Sequence, residues 1–146
     1  MYKFFKILVL IIFHLFYLLT AALSSEEKIK IGLLVPLTGE NKEIGEQIIK
    51  STRIALKDIN SDKLEIYPKD TGSDPNITIK SALDLRKIGV KIIIGPVFYE
   101  SLNYLDEIKD VTFVSFTNKT LNLPDNIISG GINATSQLNA IKKFIN

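Results

Sequence analysis

Short apolar runs alternate with longer amphipathic stretches along most of this chain. Residues 28–35 (KIKIGLLV) become continuously apolar in their second half, the pattern of a strand buried on both faces. Pro36-Leu37-Thr38-Gly39 breaks that run. Residues 42–60 then set Ile44, Ile48, Ala55 and Ile59 near one helical stripe, widened by Ile49 and Leu56. A second strand is predicted over 63–67, stopped by Pro68, with a loop over 69–73. Asp74-Pro75 supplies an N-cap carboxylate and a proline at the first helical position. That helix turns Ile79, Ala82 and Leu83 inward and closes at Gly89. Residues 90–94 (VKIII) read as a third strand, ended by Gly95-Pro96. The spacing of Leu102, Leu105 and Ile108 predicts a helix over 99–109, and 111–116 a fourth strand. After Pro124-Asp125-Asn126 comes a short fifth strand over 127–129, then a helix over 135–145 with Leu138, Ile141 and Ile145 apolar.

This order predicts an α/β fold: an open, mostly parallel, doubly wound sheet with helices on both faces. With the flavodoxin-like strand order 2-1-3-4-5, the winding reverses between the first and third strands. Ligands of such sheets sit outside the strands' carboxyl ends at that reversal. The tips in question are Pro36-Leu37-Thr38-Gly39, Gly95-Pro96-Val97-Phe98-Tyr99 and, one strand on, Ser115-Phe116-Thr117-Asn118. Each combines a turn residue with hydroxyls, an amide or aromatic rings. The bland reading of any one tip is that glycine and proline make turns while serine and threonine cap helices. Three such tips on one edge favour a binding cleft. Glu100, in the first turn of the third predicted helix, complements the helix dipole and argues against an anionic ligand.

The first 24 residues follow a different pattern. Lys3 and Lys6 precede an apolar run over 7–19 interrupted by His14, and Ala22-Leu23-Ser24 puts small residues at a cleavage site before Ser25. The expectation is a signal peptide over 1–24, cleaved on export to the periplasm. The alternative is an uncleaved anchor over 7–23, at the short edge of a spanning helix. Both place the remainder outside the cytoplasm.

Composition then narrows the chemistry. The chain of 146 residues carries 18 Lys+Arg, 16 Asp+Glu, one His and no Cys. Without Lys3 and Lys6 the two charges balance at 16 each, so no basic footprint for nucleic acid remains. His14 lies in the leader, which leaves the rest without a histidine and so without Cys/His zinc sites or a Ser-His or Cys-His nucleophile. Disulfides and an acylated N-terminal cysteine are equally excluded. No metal and no cofactor is expected, and the chain is read as a non-enzyme.

Several motifs resolve into structure rather than chemistry. Asp70-Thr71-Gly72-Ser73 spells the aspartic-protease tetrad, but in one copy and in a β-to-α loop, so a structural loop with Asp70 near the cleft is expected. Gly32, Gly39 and Gly45 match neither a Walker A nor a dinucleotide fingerprint. The sequons at Asn76, Asn118 and Asn133 fit chance in a chain rich in Asn, Ser and Thr, and Lys142-Lys143 is a solvated helix face.

The segments 29–39 (IKIGLLVPLTG), 55–60 (ALKDIN), 70–75 (DTGSDP) and 93–96 (IIGP), in this order, resemble bacterial periplasmic proteins of the leucine/isoleucine/valine-binding type. The resemblance covers essentially residues 28–146. It implies a type I periplasmic binding fold, with two α/β lobes closing on a ligand. The present chain then supplies the N-terminal lobe over 25–146 and half a cleft, the second lobe being absent. In amino-acid binders of this type a loop serine and a small-residue/threonine segment grip the ligand. Carried across, Thr117 matches the threonine and Ser115 the small-residue stretch, whereas Tyr99 occupies the serine position with Ser101 two residues on. Gly95-Pro96-Val97-Phe98 and Phe116-Thr117-Asn118 are also similar to penicillin-binding-protein activators, which share the fold and regulate peptidoglycan synthesis. The expected ligand-binding residues are Thr38, Phe98, Tyr99, Ser101, Ser115 and Thr117. The expected partners are a small polar, amino-acid-like ligand and either the membrane permease of an ABC transporter or a peptidoglycan synthase.

Overall fold

The computed structural model describes residues 2–22, 28–119, 122–132 and 134–145, without the side chains of residues 12 and 15–22. An N-terminal helix α1 (Tyr2–Ala22) holds the apolar run over 7–19, while residues 23–25 of the expected cleavage site lie outside the described residues. The following elements are β1 (Ile29–Val35), α2 (Lys42–Ile59), β2 (Leu64–Asp70), α3 (Pro75–Lys87) and β3 (Ile92–Ile94). Then come two 3₁₀ turns (Tyr99–Leu102 and Leu105–Glu107), β4 (Thr112–Ser115), β5 (Ile127–Ser129) and α4 (Ala134–Ile145). The five strands form one sheet in the order β2-β1-β3-β4-β5, every pair parallel, as the alternation predicts.

Local chemistry accounts for most of these bounds. Asp74 caps α3: its Oδ1 accepts the N–H groups of Asn76 at 2.8 Å and Ile77 at 2.9 Å, with Pro75 behind it. Gly89, at φ +88°, ends the helix as expected, and Asn60 at φ 47° ends α2. β2 runs through Pro68 instead of stopping before it. Thr71 N–H bonds to Val35 C=O, so by alternation the position of Pro68 faces away from β1, on the open edge where no donor is needed. β3 starts later than expected because Val90 turns its N–H back to Leu85 and its side chain into the core.

The predicted helix over 99–109 is replaced by the two 3₁₀ turns, separated by Tyr104 in the left-handed region at φ 67°. The residues that suggested it are buried, but Leu102, Leu105 and Ile108 are spaced by three, the period of a 3₁₀ turn and not of an α-helix. Asn126 fills the gap: its side-chain N–H₂ donates to the carbonyls of Leu105, Ile108 and Val111.

One core lies between the sheet and α3. It joins Leu34, Ile93, Phe113 and Ile127 from four strands to Ala82 and Leu85 of α3, and to Leu102, Leu105, Ile108 and Val111. Leu85, not Leu83, is the inward leucine: Thr78, Ala82 and Leu85 keep the i, i+4, i+7 stripe, whereas Leu83 is exposed. On the opposite side α2 is half-buried at Ile48, Ile49, Thr52 and Leu56, while Ile44, Ala55 and Ile59 of the expected stripe are exposed.

Candidate functional site

The carboxyl tips of β1, β3 and β4 are neighbours because their strands are neighbours, and specific bonds hold them in register. The β1 tip is fastened by Asp70 at the end of β2. Its Oδ1 accepts the N–H groups of Leu37 (2.7 Å), Gly72 (2.8 Å) and Thr38 (3.3 Å), and its Oδ2 accepts the Thr38 hydroxyl at 2.6 Å. Partial burial pushes this carboxyl up, but those four donors, Thr38 hydroxyl foremost, outweigh it and hold Asp70 below the ordinary aspartate range. With both oxygens so engaged, the tetrad works as a clamp between two strand tips, the structural role expected of it. Gly45 lets α2 approach the same tip, since a Cβ there would run into the Pro36 carbonyl.

The β3 tip turns at Gly95, whose φ is +107° and whose missing Cβ would collide with the Leu34 carbonyl oxygen of β1. The Gly95-Pro96 bond is cis. Gly95 N–H donates to Val114 C=O at 2.8 Å, and the Pro96 carbonyl accepts both Phe116 N–H at 3.2 Å and the Ser115 hydroxyl at 2.9 Å. Ser115 Oγ in turn accepts Thr117 N–H. The Thr117 carbonyl accepts the Ser129 hydroxyl at 2.6 Å and Gly131 N–H at 3.1 Å, which ties the β4 tip to β5. Thr117 Oγ1 accepts Lys119 N–H at 3.2 Å.

The six residues expected at the site therefore divide. Thr38 and Tyr99 are exposed on the edge and Phe98 is half-buried there. Ser115 and Thr117 are buried, and their hydroxyls are engaged in pinning the loop that carries Phe116, Asn118 and Lys119. Ser101 is 1% exposed, in the 3₁₀ turn packed against α3, and its Oγ finds no hydrogen-bond partner. Two residues outside the expected six also lie here. Phe116, read in the sequence only as part of the β4 tip, follows β4 and is exposed at the edge. Lys119 sets its Nζ 3.7 Å from the centroid of the Tyr99 ring. No spacing rule pairs residues twenty positions apart in the segments that follow different strands; only the adjacency of β3 and β4 brings them together.

A family model described as periplasmic binding protein matches residues 28–141. Leu/Ile/Val-binding protein homolog 1 of Brucella abortus is 37% identical over 71 residues, which are 44% of this chain and 19% of that protein. Among solved structures, the leucine binding protein LivK from Thermotoga maritima aligns with a TM-score of 0.54 at 23% identity, over 60% of this chain and 27% of its own. Full-length LpoA from Haemophilus influenzae aligns with a TM-score of 0.59 at 22% identity, over 81% of this chain and 23% of its own. These two structural likenesses establish the fold and nothing finer. The match spans only 19% of the Brucella relative and 27% or less of these two solved chains.

Proposed function

The chain belongs to the periplasmic binding protein family, and we propose on that premise that it is an exported, non-catalytic solute-binding chain. Its fold is that of type I periplasmic binding proteins. In this reading residues 1–24 are a signal peptide and 25–146 the first lobe of a leucine-binding-type domain. The ligand is a small polar molecule of amino-acid type, delivered to the membrane permease of an ABC transporter. One observation supports the reading: the β1, β3 and β4 tips lie side by side at the carboxyl edge of the sheet, where Thr38 and Tyr99 are exposed and Phe98 half-buried, and Ser115 and Thr117 pin the loop after β4 to the β3 tip. The Brucella relative's name supports the amino-acid class.

A thermal-shift screen of the twenty amino acids tests it. Ligand at a hundredfold its Kd stabilises a binder by about 2.7 kcal/mol, several degrees for a domain of this size. Such a shift from at least one amino acid is the expected result.

The second reading is an envelope regulator acting on a peptidoglycan synthase. Tyr99 at the position where amino-acid binders resembling this chain place serine favours it. The C-domain of LpoA from Haemophilus influenzae, a regulator of PBP1A, shares the fold over 80% of this chain, as the leucine binding protein does over 60%. Silence with every amino acid, together with capture of a synthase, selects this reading over the first.

A further inference from the structure

Two apolar surfaces of this chain stand uncovered, and they match in shape and charge. The first is the sheet face opposite α3. Strands β3, β4 and β5 turn Ile92, Ile94, Val114 and Ile128 to that side, because their alternate residues Ile93, Phe113 and Ile127 are in the core. Ile92 and Ile128 are exposed, while α2 packs on β1 beside them. That helix forms one wall of a trough. Its Ile49, Arg53 and Leu56 line the groove over Ile66 and Pro68, which marks their flank as the one toward β2. Helical spacing then puts Ile44, Ala55 and Ile59 on the opposite flank, toward β3, and all three are exposed.

The second surface is α4. Ala134, Leu138, Ile141 and Ile145 recur at i, i+4, i+7 and i+11 as one stripe, and none of them is buried. A helix of 12 residues is marginal in water without a surface to pack on. At 1.5 Å per residue the stripe runs about 16 Å and the wall from Ile44 to Ile59 about 22 Å, so one helix fits along it. Charge agrees as well. Lys142 and Lys143 close α4, and Asp58 ends α2 one turn on from Ala55, on the trough side. Lys50 and Lys57 fall with Arg53 on the β2 flank, away from them.

The chain's own α4 does not fill this trough. Pairing continues past the β5 tip, with Gly130 N–H donating to Ser115 C=O at 2.7 Å and Gly131 N–H to Thr117 C=O at 3.1 Å. These bonds lead the chain beyond the carboxyl edge of the sheet before α4 begins. A second copy can receive the stripe with every one of them kept.

We propose that α4 docks in the trough of a second copy, so that two chains exchange these helices in a symmetric dimer. The inference goes beyond the solute-binding reading and does not depend on it. Entering from the carboxyl edge, α4 runs antiparallel to the receiving strands, which brings Lys142 and Lys143 to the Asp58 end of α2. Exchange follows mass action, so a dilute single copy keeps this face open.

Cross-linking of mixed chains tests this, and the absence of cysteine makes each introduced thiol unique. Full-length Ile141→Cys and Ile128→Cys chains are mixed, left to exchange, and treated with a short bis-maleimide. The mixture should give at least fivefold more covalent dimer than either variant alone. Adding Leu138→Asp to the Ile141→Cys chain should lower that yield at least fivefold, with the far-UV circular dichroism unchanged. Association through α1 does not respond to Leu138→Asp, so a yield that survives this change overturns the proposal. Equal linkage in Ile141→Cys alone, which is α4 against α4, or in Ile128→Cys alone, which is face against face, also overturns it. An internally bridged monomer of the Ile128→Cys/Ile141→Cys chain would place α4 on its own sheet and has the same force. So does the absence of linkage from every sample.

Discussion

The two faces of the sheet are built from the same apolar strands yet are covered very differently. On the α3 side, Leu34, Ile93, Phe113 and Ile127 lie under α3 and the two 3₁₀ turns, and all four are buried. On the other side, residues paired in register with Leu33 and its neighbours continue the apolar surface through Ile92, Ile94, Val114 and Ile128. There α2 covers β1 and β2, leaving a groove of about 240 Å³ between Ile49, Leu56, Leu33 and Ile66. Ile92 is 43% and Ile128 53% exposed, while Ile94 and Val114 are half-buried. An apolar strand run thus reports that a residue can be buried on either face. Whether it is buried depends on which elements the topology lays over it.

The comparison yields predictions that differ in size. Truncating Phe113→Ala on the covered face opens a cavity that closely packed neighbours cannot fill, and should cost roughly 3–5 kcal/mol in urea unfolding. A loss below 1 kcal/mol would mean that this face is not the core. Gly45→Ala forces a methyl group into the Pro36 carbonyl where α2 meets the β1 tip. Overpacking of that kind costs about 1–3 kcal/mol, and a neutral result in thermal melts would show α2 to be loosely seated. Asp70→Ala leaves the Leu37 and Gly72 N–H groups without their acceptor and should cost about 1–3 kcal/mol. Amide hydrogen exchange should rise at Leu37, Thr38 and Gly72 before it rises in β3.

The rim of the covered face should respond to acid. Asp110 bridges Arg86 at the end of α3 and Lys91 before β3, and those two cations hold its carboxyl at about 2. A lowered carboxylate stabilises the fold fully above its unfolded value near 4, and loses that contribution as pH falls toward 2. Asp110→Asn should therefore flatten the stability curve between about pH 4 and 2 and leave its neutral-pH shape alone. A curve that stays parallel to the unaltered protein's across that window would rule the bridge out. Smallest of all, Ile128→Thr on the open side should change stability by about 0.5 kcal/mol or less, as for exposed positions generally. A loss comparable to that of Phe113→Ala would show this side to be covered after all.

Much of the fold was legible before any coordinates. Alternation of short apolar runs with amphipathic stretches gave the element order, and Asp74-Pro75 and Gly89 bounded α3 through backbone chemistry that acts within a few residues. Less was legible where the period was ambiguous. Leu102, Leu105 and Ile108 are compatible with a helical face, and only the Asn126 side chain reaching three carbonyls shows how the chain there is actually held. In α4 the apolar residues Leu138, Ile141 and Ile145 were visible as a stripe, yet none of them is buried. The candidate site was legible as three strand tips and opaque in its wiring: which hydroxyls are spent on the loop, and which groups remain outward.

By itself the sequence determined what short-range physics controls: strand and helix order, the caps, the turns at glycine and proline, and the exclusion of histidine and cysteine chemistry from the domain. Only the tertiary structure decided that Asp70 clamps Thr38 thirty-two residues away, that Lys119 lies on Tyr99, and that one sheet face is closed while the other is half open. The reason is common to all three. Each depends on which strands lie side by side, and that adjacency is set by the winding of the whole sheet, which no local pattern of residues encodes.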